Sequence, residues 1–495
     1  MRSVAIIGAG LGGLAAAIHL QRAGLSVTVL EQNERIGGRA GLLELGSYRF
    51  DTGPSLLNYP WVFEELFTTV GARFHDAVQL LPVDPGITFR WQDGRRLTLS
   101  SSFDCLREEL ARLDPGVGPR LAAWLRRAGH NYRLSFARLV QSNADNPLKW
   151  LGALRLRELW GLGLQRSLYR QLALSFRSRH ICEALASYAM YLGGSPFSLP
   201  GLFEILPYGE LAYGLWLPRG GIYGLIEAVG DLAREAGVNI STECRVSRIA
   251  ERDGRVAGVE LADGDFIPAE IVVSNCDVPQ TDAALLPDGA ARRHGRRRAS
   301  RLRMTPAVLT FYWGLKRKLV GVDHHSIFLP ADYRGSFDRL LRQQVLQEKP
   351  AFYLSIASAT EPALAPPDTD TAFVLVPVPP LSRTEGVDWR AETARIRQYV
   401  LGRLAQAHIG LQAGDIAVEQ VLTPRDWQQR FGLFDGSALG AAHNLTQLGP
   451  WRPCNYSRWL HGLYYVGAST TPGTGLPMVT LGGRMTAARI LDHVR

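Results

Sequence analysis

VAIIGAGLGGLAAAIHLQRAGLSVTVLEQNERIGGRA, residues 4–40, decides the fold. Val4 to Ile7 is a short apolar run of strand type, closed by Gly8-Ala9-Gly10-Leu11-Gly12-Gly13. A helical pattern follows, and Ser26 to Leu30 is a second β-type run. Strand, glycine turn, helix, strand is the order of a dinucleotide-binding βαβ unit. In such a unit Gly8 permits the tight turn, Gly10 lets backbone approach a pyrophosphate, and Gly13 lets helix and strand pack closely. The phosphates rest on the unpaired N–H groups at the helix N-terminus, around Leu11 and Gly12. Glu31 comes where an acidic side chain accepts hydrogen bonds from a ribose 2′-OH. A glycine loop with no nucleotide is the bland alternative, but strand, helix and acid stand here in register.

Two further stretches belong to the same reading. Gly37-Gly38-Arg39, six residues beyond the acid, is an addition that plain nicotinamide-dinucleotide folds usually lack; taken in isolation it is also compatible with a surface turn. Near the other end of the chain the strand Leu463 to Val466 meets Gly467-Ala468-Ser469-Thr470-Thr471-Pro472-Gly473-Thr474-Gly475-Leu476-Pro477. A helix then runs from about Met478 to His493. A glycine-proline turn feeding a helix directs backbone N–H groups, there around Met478 and Val479, at a partial negative charge.

The 495 residues suggest two or three domains and can bury a large core. Hydrophobic residues at 46% and charged residues at 20% are ordinary for a globular chain. The net charge of +9 allows an anionic partner, nucleic acid or membrane surface, without choosing between them. Nothing resembles a nucleic-acid-binding module, so nucleic acid is not expected as a partner. Five scattered cysteines with no CxxC argue for neither a metal site nor a disulfide framework, which points to a reducing cytoplasm. The apolar N-terminus follows the nucleotide pattern rather than that of a signal peptide, and no apolar run reaches the length of a transmembrane helix.

Between the two motifs, Glu44 to Pro54 reads as a short strand ending in the turn Asp51-Thr52-Gly53-Pro54. Phe103 to Leu110 and Pro119 to Leu139 read as helices. Leu148 to Phe176 reads as a helix pair with Trp150, Trp160 and arginines 155, 157, 166 and 170, able to face its own core or lie in a bilayer interface. Tyr188 to Gly221 is broken by Pro and Gly into short elements, and its aromatic and aliphatic content suggests a lined cavity. A helix over 222–236 and strands at 238–242, 246–249, 256–261 and 271–274 follow, with Val246 assigned to the cofactor site. Arg292 to Arg303 holds seven arginines in twelve positions, a solvated helix face or a lipid contact. His324-His325 has no acid or cysteine at ligand spacing and reads as a strand start, and no metal site is expected. Thr371 to Val378 is strand-like.

The early motifs resemble the flavoprotein family of amine oxidases and carotenoid desaturases, in which the second glycine pair and arginine meet the diphosphate and flavin side of FAD. Asp51-Thr52-Gly53-Pro54 resembles that family's D-x-G-P element beside the isoalloxazine. The final motif is similar to the V-G-A-x-T-H-P-G-x-G-x-P signature of phytoene-desaturase-type carotenoid desaturases. YLGGSPF (191–197), PYGELAYGLWLPRGG (207–221), HHSIFLPADYRGSFDRLL (324–341), and SATEPALAPP (358–367) with VLVPVP (374–379) are similar matches in the expected order. Thr471 departs from the family by replacing the usual His.

The resemblance implies an α/β chain. Residues 1–75, 220–290 and 455–495 would form a discontinuous Rossmann-like FAD-binding domain, and 76–219 and 291–454 a mixed-sheet and helical substrate domain with a membrane-contacting region. It implies FAD as cofactor and a long isoprenoid hydrocarbon as substrate, desaturated as a linear C40 or C30 precursor of phytoene or diapophytoene type. Oxidation of terminal methyl groups, a flavin amine oxidase and a non-enzymatic lipid-escort protein are the rivals. It also implies quinone or O2 as electron acceptor and attachment to the inner face of the cell membrane. Glu210, in the matched PYGE segment of an otherwise apolar cavity, is the candidate catalytic side chain.

Overall fold

The computed structural model describes residues 2–143 and 145–494. Its first layer is a five-stranded parallel sheet ordered Leu463–Tyr465, Ile271–Ser274, Ser3–Ile7, Ser26–Leu30, Asn239–Ser241. Parallel strands are covered on both faces, which is why the central runs are almost uninterruptedly apolar rather than alternating. Val4, Ala5, Ile6 and Ile7 are all buried. The helix Leu11–Arg22 packs on this sheet and against the last helix, Leu476–Val494. Their approach is close because the contact is made of small residues. A Cβ on Gly483 would come within 2.7 Å of the Ala15 Cβ and 2.8 Å of the Ala16 nitrogen.

A seven-stranded sheet forms the second layer, ordered Ile416–Leu422, Ala307–Leu315, Thr371–Val378, Phe352–Ser355, His325–Phe328, Ile87–Arg90, Arg96–Thr98. Its pairs are antiparallel except His325–Phe328 beside Ile87–Arg90. The helix Trp389–Gln406 buries Ile396, Val400 and Leu404 with Phe311 and Trp313 of this sheet. A smaller sheet joins Val246–Arg252, Arg255–Leu261 and Phe266–Pro268. Asp253 and Gly254 both take positive φ (53° and 75°), the two-residue turn whose twist matches its strands.

Leu148 to Phe176 does not form the expected helix pair. It is three short helices, Pro147–Gly152, Leu156–Gly161 and Leu168–Ala173. Gly163 at φ 70° ends the second of these turns, and Ser167 caps the third by accepting a hydrogen bond from the Arg170 N–H. Each piece is too short to be stable alone, so tertiary packing divides what looks periodic in sequence. Among the described residues no helix is long and apolar enough to cross a membrane.

Candidate active site

The two glycine turns at the N-terminal end are tied to one another. Gly8 takes φ 97° and donates its N–H to the Leu30 carbonyl at 2.7 Å; the Gly37 N–H donates to the Ala9 carbonyl at 2.9 Å. A Cβ on Gly13 would lie 2.4 Å from the Gly8 oxygen, so helix and strand approach more closely than any side chain permits. The first intrahelical bond runs from the Leu14 N–H to the Gly10 carbonyl, which leaves the N–H groups of Leu11, Gly12 and Gly13 ahead of the ladder. Asn275 closes this nest from the side: its Nδ2 donates to the Gly8 carbonyl at 3.2 Å and would lie 2.8 Å from a Cβ on Gly10.

Glu31 is buried at the end of its strand. Its Oε2 accepts from the Ala9 N–H at 2.9 Å, and its Oε1 from the Asn33 N–H and Nδ2 at 3.0 and 2.8 Å. A carboxylate has about four acceptor positions, so a sugar hydroxyl can still be accommodated. Arg39 reaches across to donate to the Ala438 carbonyl at 2.8 Å, with Asp277 at 3.8 Å.

At the other end of the chain, Arg452 holds the Gly467-to-Thr470 turn. It is a buried guanidinium that donates to the carbonyls of Thr470 (2.7 Å), Ala468 (2.5 Å) and Ala441 (2.9 Å). Burial lowers its pKa to about 9, and Asp277 opposes the shift. The Val479 N–H donates to the Gly475 carbonyl, so the Leu476 and Met478 N–H groups stand free of the helix ladder.

Both motifs open into one cavity of about 1050 Å³. Every cofactor residue expected from sequence lines it except Gly13 and Asp51, as does Glu210. Gly13 acts through packing alone. The Asp51 carboxylate is turned away to the start of the helix Ile222–Glu235, where it accepts from the Ile222 and Tyr223 N–H groups at 2.7 and 2.8 Å. Burial raises its pKa to about 6 against these two bonds. The neighbouring Gly53 and Pro54 do line the cavity, so the turn is placed as expected while its acid serves as a helix cap.

Beyond the glycine turns the walls become aromatic and aliphatic, with Tyr59, Phe136, Trp150, Tyr188, Leu206 and Phe337 among them. Glu210 is 5% exposed on the helix Ile205–Tyr213. Burial pushes its carboxyl up to about 8, and the Tyr188 hydroxyl beside it pulls the other way. Even so, the hydroxyls of Tyr59, Tyr188 and Tyr191 are buried without a well-aligned partner among the described residues. Gly209 makes room for Tyr59 next to Glu210, since a Cβ there would fall 2.0 Å from the phenol oxygen. His443 lies against Gly473, whose Cβ would meet Nε2 at 2.0 Å, and burial holds this imidazole neutral.

Sequence reasoning missed Asn275, His443, Arg452 and Tyr353 as parts of this site. Only Asn275 carried a signal, as the residue that ends a strand of the parallel sheet. The arrangement fits FAD on its own geometry: a side-chain-free cradle at one end, an acid for the ribose, and a second helix N-terminus at the far side of the same cavity.

Residues 11–491 match the flavin containing amine oxidoreductase family, and the chain belongs to that family. It is an FAD-dependent oxidoreductase. The chain is 35% identical over 491 residues to the zeta-carotene-forming phytoene desaturase of Myxococcus xanthus, covering 99% of this chain and 94% of that one. It is 33% identical to the phytoene desaturase of Neurospora crassa, over 99% of this chain and 85% of the other. It is also 33% identical to a 4,4'-diapolycopene oxygenase of Methylomonas sp, over 99% and 98%. Among solved structures, an oxidoreductase from Methanosarcina mazei superposes with a TM-score of 0.62 at 18% identity, over 99% of this chain and 100% of that one. Putrescine oxidase gives 0.63 at 16%, over 99% of each chain. These two likenesses show the fold.

Proposed function

We propose that this flavoenzyme introduces double bonds into a linear carotenoid precursor of phytoene or diapophytoene type. The observation that carries the reading is the continuous cavity running from the glycine cradle into an aromatic, aliphatic chamber with the buried carboxyl of Glu210 in its wall. The named activities of the full-length relatives support it. A hydrocarbon has nothing to hydrogen-bond, so such a chamber can recognise it only by shape and exclusion of water.

In this reading residues 1–75, 220–290 and 455–495 hold the cofactor, and 76–219 and 291–454 hold the substrate. Bound FAD supplies the two-electron acceptor for hydride lost from a C–H bond beside the polyene. The N–H groups at Leu11 and Gly12 hold the diphosphate and Glu31 holds the ribose. Arg39, the Gly53-Pro54 turn and the Gly467-to-Val479 segment frame the redox end. Met478 and Val479 begin a helix whose N-terminus favours negative charge there. The aromatic walls keep water from the cation that hydride loss leaves on the substrate, and Glu210, once ionised, stabilises it. The rate therefore rises with pH through about 8, the value to which burial pushes Glu210. Glu210→Gln should flatten that profile and lower turnover with FAD still bound; full turnover would remove the role.

The substrate resides in a bilayer, and a surface patch suits one. Leu148 (82% exposed) and Trp160 are exposed on the short helices, Leu445 and Trp451 on the loop that packs against the first of them, and Arg155 and Arg157 are exposed in the same stretch of chain. The helix Ala290–Ala299 adds a basic face. We read these as the attachment to the inner face of the cell membrane, with quinone or O2 reoxidising the flavin. Flotation with anionic liposomes at low salt should carry the protein; its absence there would remove the attachment. Expression in hosts making phytoene or diapophytoene, with pigments separated and identified, tests the activity itself. Formation of neither desaturated series would overturn it. The similarity to a diapolycopene oxygenase favours terminal-methyl oxidation as the second reading, and the same pigment separation reveals it as oxygenated products.

A further inference from the structure

Each desaturation breaks two C–H bonds. One departs as hydride; the electron pair of the other becomes the new double bond, and its proton must reach a base inside a chamber that otherwise excludes water. We propose that Tyr353 is the group that takes this proton, passing its own to His325, with His324 the next group outward. The proposal rests on the desaturase reading for its reaction and on the following geometry for its residues.

Tyr353 lines the cavity from the strand Phe352–Ser355. Its hydroxyl lies 2.6 Å from the His325 Nδ1 and 2.7 Å from the Ser55 Oγ. His325 is 1% exposed and does not line the cavity, so a substrate can reach it only through the phenol. Register explains the meeting. Ile327 pairs with Tyr353 and His325 with Ser355 across neighbouring antiparallel strands, and alternation puts all four side chains on the cavity face of the sheet. His324 follows behind. Its ring centroid is 4.0 Å from that of His325, and its Nδ1 is 2.7 Å from the Oγ1 of Thr360, which is partly exposed. The His324 Nε2 is buried with no partner among the described residues. The histidine pair, which starts a strand as the sequence suggests, also stands between the chamber wall and a partly exposed hydroxyl.

The step balances. The substrate C–H bond breaks and its electrons form the C=C bond, while an O–H bond forms at Tyr353. The former phenol O–H breaks and an N–H bond forms at His325 Nδ1, giving an imidazolium that sheds its proton outward. Burial keeps both imidazoles neutral between turnovers and disfavours their charged forms, so a proton received there does not rest but moves outward. On the cavity side Glu210 faces Tyr353; at the outer end Asp323 and Glu361 adjoin His324 and Thr360 in the chain.

Tyr353→Phe keeps the ring and removes the relay, and His325→Gln removes the acceptor. For both, desaturation kcat should fall at least tenfold with KM within twofold and FAD content unchanged. With substrate deuterated at the carbon that loses the proton, the isotope effect on kcat should rise above twofold relative to wild type, because proton loss becomes limiting. Independently of activity, [15N]histidine-labelled apoprotein should show the His325 Nδ1 resonance, assigned with His325→Gln, shifting in Tyr353→Phe. An unmoved resonance overturns the hydrogen-bonded pair. A moved resonance with kcat within twofold, or an unchanged isotope effect, overturns the proton exit. Wild-type protein that desaturates neither precursor overturns the desaturase reading instead, whatever the resonance does.

Discussion

The two ends of the cavity are built by opposite means. At the cofactor end side chains are kept away: Gly8, Gly10, Gly12, Gly37 and Gly467 line the cavity with bare backbone, and the N–H groups of Leu11 and Gly12 stand ahead of the helix ladder, open to a ligand that carries charge. At the other end side chains make the wall, with Tyr59, Phe136, Tyr188, Glu210 and Tyr353 converging from separate stretches of chain. A charged ligand can be held by short, local, directional contacts. An apolar one needs enclosure, and enclosure takes walls from many elements.

The comparison breaks most readily at Gly13. A Cβ there would sit 2.4 Å from a backbone oxygen that cannot move, so Gly13→Val should prevent folding and flavin binding together. Soluble protein with full flavin absorbance would contradict it. At the opposite end Glu210 bears on stability through pH. Its folded pKa is raised to about 8 from 4.5, so its contribution is complete below pH 4.5 and is lost as pH rises through 8. The loss should be of the order of several kcal/mol. Denaturant titrations at intervals across that window should show wild type falling relative to Glu210→Gln; parallel curves would mean that the carboxyl is not desolvated.

Arg452 joins the two ends, since its carbonyl partners lie in the flavin-side turn and in the loop that leads to His443. Arg452→Met should cost about 3 kcal/mol and weaken FAD retention, as judged by thermal release of flavin fluorescence. The surface patch comes next: Leu148→Ser with Trp160→Ser should reduce liposome partitioning about tenfold with flavin content unchanged. The smallest effect is expected at Asp51. As a helix cap, Asp51→Asn should cost about 1 kcal/mol and leave FAD affinity within twofold, whereas a large affinity loss would restore it to the cofactor site.

The legibility of the molecule follows the same division. Gly8 to Gly13, Glu31 and Gly467 to Val479 were readable because a backbone site writes itself as glycine spacing within one strand-turn-helix unit. The expected residues of these stretches other than Gly13 line one cavity, and the family match supports FAD. Asp51 caps a helix instead of lining the cavity, because its turn and its side chain go separate ways, which no spacing reveals. The Leu148-to-Phe176 segment has the pattern of a helix pair because periodicity records a buried face and not the breaks that packing imposes. His443, Arg452 and Tyr353 gave no local signal at all, for their partners lie on other elements.

By itself, then, the sequence determined the nucleotide fold and the glycine cradle, since each is set by contacts within a short span of chain, and the kinship with carotenoid desaturases, which is written in a series of motifs along it. Only the tertiary structure decided which acid faces the cavity, which caps a helix, and that an adjacent histidine pair stands behind the chamber wall. Those outcomes depend on strand register and on contacts between residues hundreds of positions apart, and a linear pattern does not contain them.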